Sequence, residues 1–192
     1  MRILIKLICL LSALFILPPR GFSQEVLNYD IGNPKAKMAV EKIKGIKKST
    51  SADTMELPFI DDFSYSDIIP DQSKWMDNYA YINSNYAVLP ITVGVATMDA
   101  YDSDGSHYPN ASSQPYLTDL LTSMPLNLAF PASDSIYLSF FFQPQGLGEM
   151  PDPEDSLCLE FYSPSDTLWK TVWSTPGDSL RNFQIVMIPI TK

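Results

Sequence analysis

Residues 135–143 read Ser-Ile-Tyr-Leu-Ser-Phe-Phe-Phe-Gln, and their alternation decides the fold class. In an extended chain successive side chains point to opposite faces. The even-numbered apolar residues from 136 to 142 therefore share one face, while Tyr137, Ser139 and Phe141 share the other. A period of two in a run rich in aromatic residues predicts a β-strand with one face packed on a core.

The same pattern recurs along the chain after residue 56. Seven segments are predicted as strands: Leu57–Phe63, Tyr79–Asn83, Thr92–Met98, Ser135–Gln143, Ser156–Tyr162, Thr167–Trp173 and Asn182–Ile190. The stretches between them are rich in Pro, Gly, Asp and Ser, which favour turns. Short strands separated by such turn-rich stretches predict an all-β protein, with the architecture of an antiparallel β-sandwich or a barrel. Residues 117–124 fit either a short helix or a loop that leads into a strand at 126–128.

The last predicted strand, Asn182–Ile190, is apolar on both faces, which predicts that neighbouring structure covers it from both sides. The chain ends at Lys192, two residues later. We therefore expect the sandwich to be incomplete at its C-terminus. In the alternative interpretation Pro189 ends an edge strand, where proline is tolerated.

The N-terminus carries the three parts of a secretory signal peptide. Arg2 and Lys6 form a positive start, Leu7–Leu17 is an unbroken apolar run, and small residues follow at Gly21 and Ser23. The run is shorter than the roughly 20 residues that a membrane span needs. A membrane anchor or a buried helix is the alternative. Residues 1–23 are thus predicted as a cleaved signal peptide, and the mature chain as secreted or on the outer cell surface, with no membrane span.

Residues 24–56 differ from the rest because they hold six lysines and few apolar residues. Pro34 and Gly45 interrupt any long helix. This composition predicts a flexible Lys-rich leader with a marginal helix near Ala36–Lys44, or alternatively a basic contact tail. The β-sandwich domain is then expected over residues 57–192.

The chain as a whole is acidic, with 13 Lys and Arg against 22 Asp and Glu and a net charge of −9. Residues 1–23 hold three of the basic residues and no acidic ones, so loss of the signal peptide makes the net charge −12. Binding to nucleic acid or to anionic lipid requires clustered Lys and Arg. The composition therefore disfavours both partners.

Catalytic signatures are missing from the sequence. It contains no Gly-x-Ser-x-Gly elbow, no phosphate-binding loop and no His-Glu-x-x-His motif. Cys158 and His107 are too few for a zinc site, and nothing local marks them as a catalytic pair. Acid–base hydrolysis by two of the many aspartates is the enzyme alternative. We expect a protein that is not an enzyme.

Several stretches together resemble a known family. They are residues 57–63 (LPFIDDF) with Trp75, 93–99 (VGVATMD), 121–126 (LTSMPL), 134–148 (DSIYLSFFFQPQGLG) and 155–161 (DSLCLEF). Over residues 57–190 the chain resembles the MAM-like or concanavalin-like jelly-roll modules of surface proteins exported by Bacteroidota, including cargo of the type IX secretion system. The resemblance implies a jelly roll with a noncatalytic extracellular role in adhesion, carbohydrate binding or structure.

Three aspartates of one loop and one from the first predicted strand are the candidate calcium ligands: Asp99, Asp102, Asp104 and Asp62. Carboxylate oxygens spaced closely before a glycine suit this hard cation. Asp62 is added by the resemblance, which implies calcium near the first strand, and its neighbour Asp61 is expected to face the opposite side. The alternative is a set of Asp turns whose carboxylates accept backbone N–H groups.

Six aromatic side chains are the candidate ligand contacts: Tyr79, Tyr81, Tyr101, Tyr108, Trp169 and Trp173. The tyrosines are expected on an exposed loop-side surface. The two tryptophans lie four apart in a predicted strand, so we expect them to share a face. That face either stacks on sugar rings or fills the core.

The leading functional hypothesis is a secreted or cell-surface module that binds a glycan or a cell-surface protein. The alternatives are a structural component of a surface gliding or secretion assembly, and an accessory domain of a larger secreted hydrolase. Five tripeptides of the form Asp-Ser/Thr-apolar, which start at residues 53, 134, 155, 166 and 178, resemble the O-glycosylation site of exported Bacteroidota proteins. Ordinary turn chemistry is their alternative interpretation.

Overall fold

The computed structural model describes residues 32–43, 54–65, 67–99, 101–109 and 116–190. Its elements in chain order are α1 (Pro34–Ile43), β1 (Tyr81–Asn83), β2 (Val95–Thr97), a 3₁₀ turn (Ala132–Asp134), β3 (Tyr137–Phe142), β4 (Ser156–Ser163), β5 (Leu168–Pro176) and β6 (Gln184–Pro189). The predicted signal peptide lies outside the described residues. No helix within those residues has the length and apolar character that a membrane crossing requires.

The strands pair as two-stranded antiparallel sheets, β1 with β2, β3 with β6 and β4 with β5. Six of the seven predicted strands overlap an observed strand, so the predicted β-rich antiparallel character is confirmed. Residues 117–124 form no helix. They run as a loop in which Ser123 makes an isolated bridge to Trp75, and Leu126 beyond them makes one to Met55.

The segment Leu57–Phe63 is the predicted strand that does not form. Asp61 Oδ1 accepts the N–H of Phe63 at 3.1 Å, and Asp62 Oδ1 accepts that of Ser64 at 3.2 Å. Such bonds offer the backbone an alternative to a sheet ladder. Phe63 also has a left-handed backbone with φ of 53°, which interrupts an extended strand.

Trp75 holds this segment in place through its ring and its N–H. Asp61, whose side chain is 2% exposed, accepts the Trp75 Nε1–H at 2.7 Å. The indole packs edge-to-face on Phe59 at 5.3 Å between ring centroids, and stacks on Phe63 at 5.9 Å. Lys74 Nζ lies 3.5 Å from Asp61 Oδ1, so the buried carboxylate has a partner of opposite charge.

The sheet of β3 and β6 follows the predicted alternation. The inner residues of β3 are half-buried or buried, whereas Tyr137 and Phe141 are exposed. On β6, Ile185 and Met187 share that outer face and are 56% and 61% exposed. Within the described residues only the inner face of this strand is covered, and the expectation of an incomplete sandwich stays a prediction.

A bulge in β5 separates the two tryptophans. Leu159 of β4 pairs with Trp173, but the next residue of β4 pairs with Thr171, which leaves Val172 without a partner. Trp173 consequently lies on the inner face of the hairpin with Leu159, and Trp169 lies on the outer face. The prediction that the tryptophans share a face is wrong, because a period of two assumes a strand without a bulge.

Trp173 connects the β4–β5 hairpin to the β3–β6 sheet. Its ring meets Phe140 and Phe142 edge-to-face, with centroids 5.3 and 5.1 Å away. Just beyond β3, Gln143 Nε2 donates to the carbonyls of Val88 and Arg181. The ring of Trp173 thus attaches the hairpin to the sheet, and the hydrogen bonds of Gln143 attach the loops at Val88 and Arg181 to it.

α1 begins after an asparagine cap. Asn33 Oδ1 accepts the N–H groups of Lys35 and Ala36, each at 3.2 Å. Pro34 takes the first helical position, where its missing N–H costs no hydrogen bond. The helix predicted near residues 36–44 is thus present.

The helix packs on the domain, although it lies in the predicted flexible leader. Ala39 and Val40 are buried against Ile69. The N–H of Asn33 donates to the carbonyl of Gly105 at 2.7 Å. Gly105 permits this approach because its φ is 77° and a Cβ there would lie 2.5 Å from the Asn33 carbonyl oxygen. Residues 34–43 are therefore a docked helix, which sequence composition does not reveal.

We predict that Trp173→Ala lowers the free energy of unfolding by about 3–5 kcal/mol, because it removes a large side chain packed between two sheets. Trp169→Ala is the matched control and costs at most about 1 kcal/mol, the scale of an exposed cross-strand pair. Urea unfolding followed by circular dichroism measures both. Equal losses for the two variants would contradict the inner and outer assignment.

We also predict that Asp61→Ala destabilises the chain by about 1–3 kcal/mol, because it leaves the indole N–H of Trp75 without a hydrogen-bond acceptor. Asp62→Ala, at the exposed neighbour, changes stability by about 0.5 kcal/mol or less. Thermal melts of both variants check the difference. A larger effect at Asp62 would show that the buried carboxylate does not hold this segment.

Candidate functional site

The aspartates of the predicted calcium loop hold backbone N–H groups. Asp99 accepts from Tyr101 at 3.1 Å, and Asp102 accepts from the residue that follows it at 2.6 Å. Asp104 accepts from Ser106 at 2.9 Å. These contacts correspond to the turn interpretation of the loop.

These carboxylates are not gathered into one cluster in the part of the chain that the structure describes. No group of three or more His, Cys, Asp or Glu side chains there is arranged to hold a metal ion. Asp62, the fourth candidate, is exposed and accepts the Ser64 hydroxyl at 2.7 Å. Calcium binding stays a prediction, and a melting temperature that is the same in millimolar calcium and in chelator would contradict it.

Asp99 is a half-buried carboxylate of the loop with a perturbed pKa. Burial raises its pKa to about 6, and the nearby Asp119 carboxylate adds to the rise. Hydrogen bonds from the Tyr101 N–H and from Asn33 Nδ2, at 3.5 Å, act in the opposite direction. The acid therefore sits where burial opposes its ionisation, at the point where α1 meets the loop.

The predicted tyrosine surface is a narrow cleft. Tyr79, Tyr81 and Tyr101 line it together with Asp99, and Ala36 of α1 also lines it. The cleft has a volume of about 10 Å³, room for roughly one water molecule. The tyrosines are half-buried, so the expectation of an exposed surface is wrong.

Tyr108, the fourth predicted tyrosine, stands beside this cleft. Its hydroxyl donates to Asp119 Oδ1 at 2.6 Å, and its ring meets Tyr116 edge-to-face at 5.9 Å. Burial and the Asp119 carboxylate raise its pKa, so the hydroxyl keeps its proton. Tyr108 therefore supports the loop and is half-buried like the other three.

The outer face of the β4–β5 hairpin carries a second candidate site, and this one is exposed. Trp169 and Tyr162 are register partners with ring centroids 5.3 Å apart, and they are 54% and 47% exposed. Beside them Thr171 Oγ1 donates to Glu160 Oε1 at 2.9 Å. We call Tyr162, Trp169, Glu160 and Thr171 the aromatic platform. It combines ring faces with hydrogen-bonding groups.

Sequence reasoning identified Trp169 but missed the other members of the aromatic platform. Tyr162 and Glu160 are ordinary alternating residues of β4, and they become neighbours of Trp169 and Thr171 through the hairpin register. The signal available in the sequence was the turn at residues 164–167, which makes the two strands antiparallel partners. At the turn, Lys170 pairs with Asp166 at 2.6 Å and lowers the pKa of that carboxyl.

The residues weighed as a catalytic pair lie in different elements. Cys158 is a free, exposed cysteine on the outer face of β4. His107 forms an isolated bridge with Tyr101, and their rings meet edge-to-face at 5.3 Å. The lack of catalytic activity stays a prediction.

Hydroxyl groups of the five Asp-Ser/Thr-apolar tripeptides belong to exposed residues. They are Thr54, Ser135, Ser156, Thr167 and Ser179. Asp178 accepts the N–H of Ser179 at 2.7 Å, an example of the turn chemistry expected of these motifs. Modification at these positions stays a prediction.

Comparison with known proteins identifies no relative. No protein-family model, no curated protein and no solved structure matches the chain. The resemblance to jelly-roll surface modules stays a prediction, and function has to be argued from the sites.

We predict that Asp99→Asn changes the pH dependence of stability. A carboxyl whose pKa is raised to about 6 in the folded state contributes stability below its unfolded pKa and loses it as pH rises through 6. The free energy of unfolding of the variant minus that of the unchanged chain should therefore be larger at pH 7.5 than at pH 5. Urea unfolding at both pH values measures this difference. Asp62→Asn is the control, because its lowered pKa leaves it ionised at both.

Proposed function

We propose that this chain is a noncatalytic glycan-binding module of a secreted or cell-surface protein, built on a β-sandwich. The observation that carries the proposal is the exposed pair of Trp169 and Tyr162 on the outer face of the hairpin. Exposed aromatic side chains on a sheet forgo the gain of burial, about 1.5–3 kcal/mol for a large apolar side chain. This exposed aromatic pair supports the proposal of a binding surface on the hairpin.

Ring faces and polar edges together suit a sugar. A pyranose presents a face of C–H groups and a rim of hydroxyls. The indole of Trp169 offers an apolar ring for that face. Glu160 is an acceptor for sugar hydroxyls, and Thr171 both donates and accepts. The aromatic platform thus matches both parts of a sugar.

Charge favours neutral glycans over anionic ones. Glu160 lies in the aromatic platform, and the positive charge nearest in sequence, Lys170, is already paired with Asp166. The chain has a net charge of −9. An acidic sugar would meet repulsion at this surface. We therefore propose neutral polysaccharides as the ligand class.

A second candidate function rests on the outer face of β3 and β6. Tyr137, Phe141, Ile185 and Met187 are all exposed there, and Ser139 and Pro189 complete the face without a charge. A flat apolar face suits a protein surface better than a sugar. This observation favours a structural role within a surface assembly.

We predict that Trp169→Ala and Tyr162→Ala each weaken binding to neutral polysaccharides at least tenfold, since each removes a stacking ring. Affinity electrophoresis through gels that contain the polysaccharides, preceded by a glycan array, measures the effect. Met187→Ala is the matched control, because Met187 is 61% exposed on the other sheet and its loss should leave binding unchanged.

Loss of glycan binding in Met187→Ala, with retention in Trp169→Ala, would reject the aromatic platform and favour the β3–β6 face. Absence of binding by the unchanged chain to any neutral glycan would reject the proposed function itself.

A further inference from the structure

The loop between β1 and β2, residues 84–94, presents aliphatic side chains to solvent at alternate positions. Leu89, Ile91 and Val93 are 79%, 55% and 74% exposed. No residue from 78 to 98 carries a charge, although the chain as a whole has a net charge of −9. We call residues 84–94 the aliphatic loop. Apolar side chains this exposed and this close together form a candidate interaction surface.

Leu89 is held in an unfavourable backbone conformation, with φ of 52°. A bulky residue rarely adopts the left-handed region, and it stays there only where the surrounding structure imposes it. The N–H of the preceding Val88 donates to Gln143 Oε1 at 2.9 Å, and the Val88 carbonyl accepts from Gln143 Nε2 at 3.0 Å. Pro90 follows and restricts the backbone further. The fold therefore imposes strain on a leucine that projects into water, and such strain is concentrated at functional segments.

Both ends of the aliphatic loop are seated on other segments of the chain. Gly94 is buried, and a Cβ there would collide with the carbonyl oxygen of Phe63. The N–H of Tyr86 donates to Asn83 Oδ1 at 2.9 Å, and the Tyr86 carbonyl accepts the N–H of Leu147 at 2.8 Å. Leu147 is itself 70% exposed. A second loop thus adds a fourth exposed aliphatic side chain beside the aliphatic loop.

The side chains of this surface favour lipid over protein as the partner. Hot spots between proteins are enriched in Trp, Tyr and Arg, whereas Leu and Val are under-represented there. Leu, Ile and Val are the residues that transfer favourably into the acyl layer of a membrane. The four exposed side chains at positions 89, 91, 93 and 147 are all of this second kind.

Hydrogen bonds within the chain satisfy part of the backbone of the aliphatic loop. The N–H and carbonyl groups of Tyr86 and Val88 are bonded as described, and Pro90 has no N–H. Thr92 Oγ1 donates to the Gly94 carbonyl at 2.6 Å. Such internal partners matter at the boundary between headgroups and acyl chains, because an unpaired polar group costs free energy where water is scarce. The acidic chain is repelled by anionic headgroups, so the surface suits neutral lipid.

We propose that the aliphatic loop inserts shallowly into a neutral lipid surface, with Leu89, Ile91, Val93 and Leu147 as the inserted side chains. Contact of this kind is peripheral and needs no transmembrane segment. The proposal is independent of glycan binding, because the aromatic platform lies on the β4–β5 hairpin. The two sites therefore stand or fall separately, and Trp169→Ala should leave lipid binding unchanged.

The test reads the environment of the loop directly. In the complete chain with Cys9→Ser and Cys158→Ser, Leu89→Cys carries a nitrobenzoxadiazole dye, and the chain is mixed with phosphatidylcholine vesicles. We expect the dye emission to rise at least twofold and to move to shorter wavelength, because the dye enters an apolar medium. Ser165→Cys, exposed at the turn of the hairpin, is the control position and should show neither change. The apolar residues 7–17 are present in both labelled chains, so a difference between them reports on the loop.

Paired substitutions then decide which surface binds. Ile91→Asn with Val93→Asn should weaken partitioning onto the same vesicles at least tenfold, because two side chains no longer gain from leaving water. Ile185→Asn with Met187→Asn is the matched control, since these residues are 56% and 61% exposed on the β3–β6 face. This control should leave partitioning unchanged. Vesicles that contain phosphatidylglycerol should bind the unchanged loop no better than phosphatidylcholine alone.

Val93→Cys, which lies outside the left-handed region, is the second labelling position if a cysteine at 89 disturbs the fold. Circular dichroism checks that each variant is folded. An unchanged emission at both positions, or equal weakening by the two pairs of substitutions, would overturn the proposal. Weakening by the control pair alone would place the lipid contact on the β3–β6 face and would overturn it as well.

Discussion

The bulge at Val172 is the constraint on which the arrangement of the C-terminal strands depends. Without it, Trp169 and Trp173 would point to the same side of β5. With it, Trp173 reaches Phe140 and Phe142 across the gap between the two sheets, and Trp169 stays outside. One unpaired residue thus supplies both the contact between the sheets and the exposed ring of the aromatic platform.

Aspartates serve three physical roles in this acidic chain. Most of those described accept backbone N–H groups in turns, which keeps their charge in water while ordering the loop. Asp61 is buried and paired with an indole and a lysine, so it fastens one segment to another. Asp99 is half-buried between the loop and α1, where its charge is opposed by Asp119. High acidic content is thus partly a means of building loops.

The sequence predicted correctly those structural features that depend mainly on residues close together in the chain. The alternation in Ile136–Phe142 gave the correct faces of β3, and the marginal helix predicted near Ala36–Lys44 is present as α1. Long-range pairing was not visible. The loss of the strand at Leu57–Phe63 depends on turn bonds from two aspartates and on Trp75. The bulge depends on how β5 aligns with β4. The seat of α1 depends on Gly105, more than sixty residues away, so no window of sequence around the helix contains it.

The two exposed faces differ in the partners they suit. On the outer face of β3–β6 the six residues carry no charge. Its apolar side chains offer contact area but do not orient a ligand through hydrogen bonds. On the outer face of β4–β5 the rings of Trp169 and Tyr162 stand beside Glu160 and Thr171, so area is combined with hydrogen-bonding direction. The geometry of hydrogen bonds discriminates between sugars. A buried polar group that is left without a hydrogen-bond partner costs more free energy than an apolar contact contributes. Between these two faces, the hairpin is thus the one that offers hydrogen-bonding groups beside its rings, as the proposed glycan site requires, and the β3–β6 face offers apolar side chains alone.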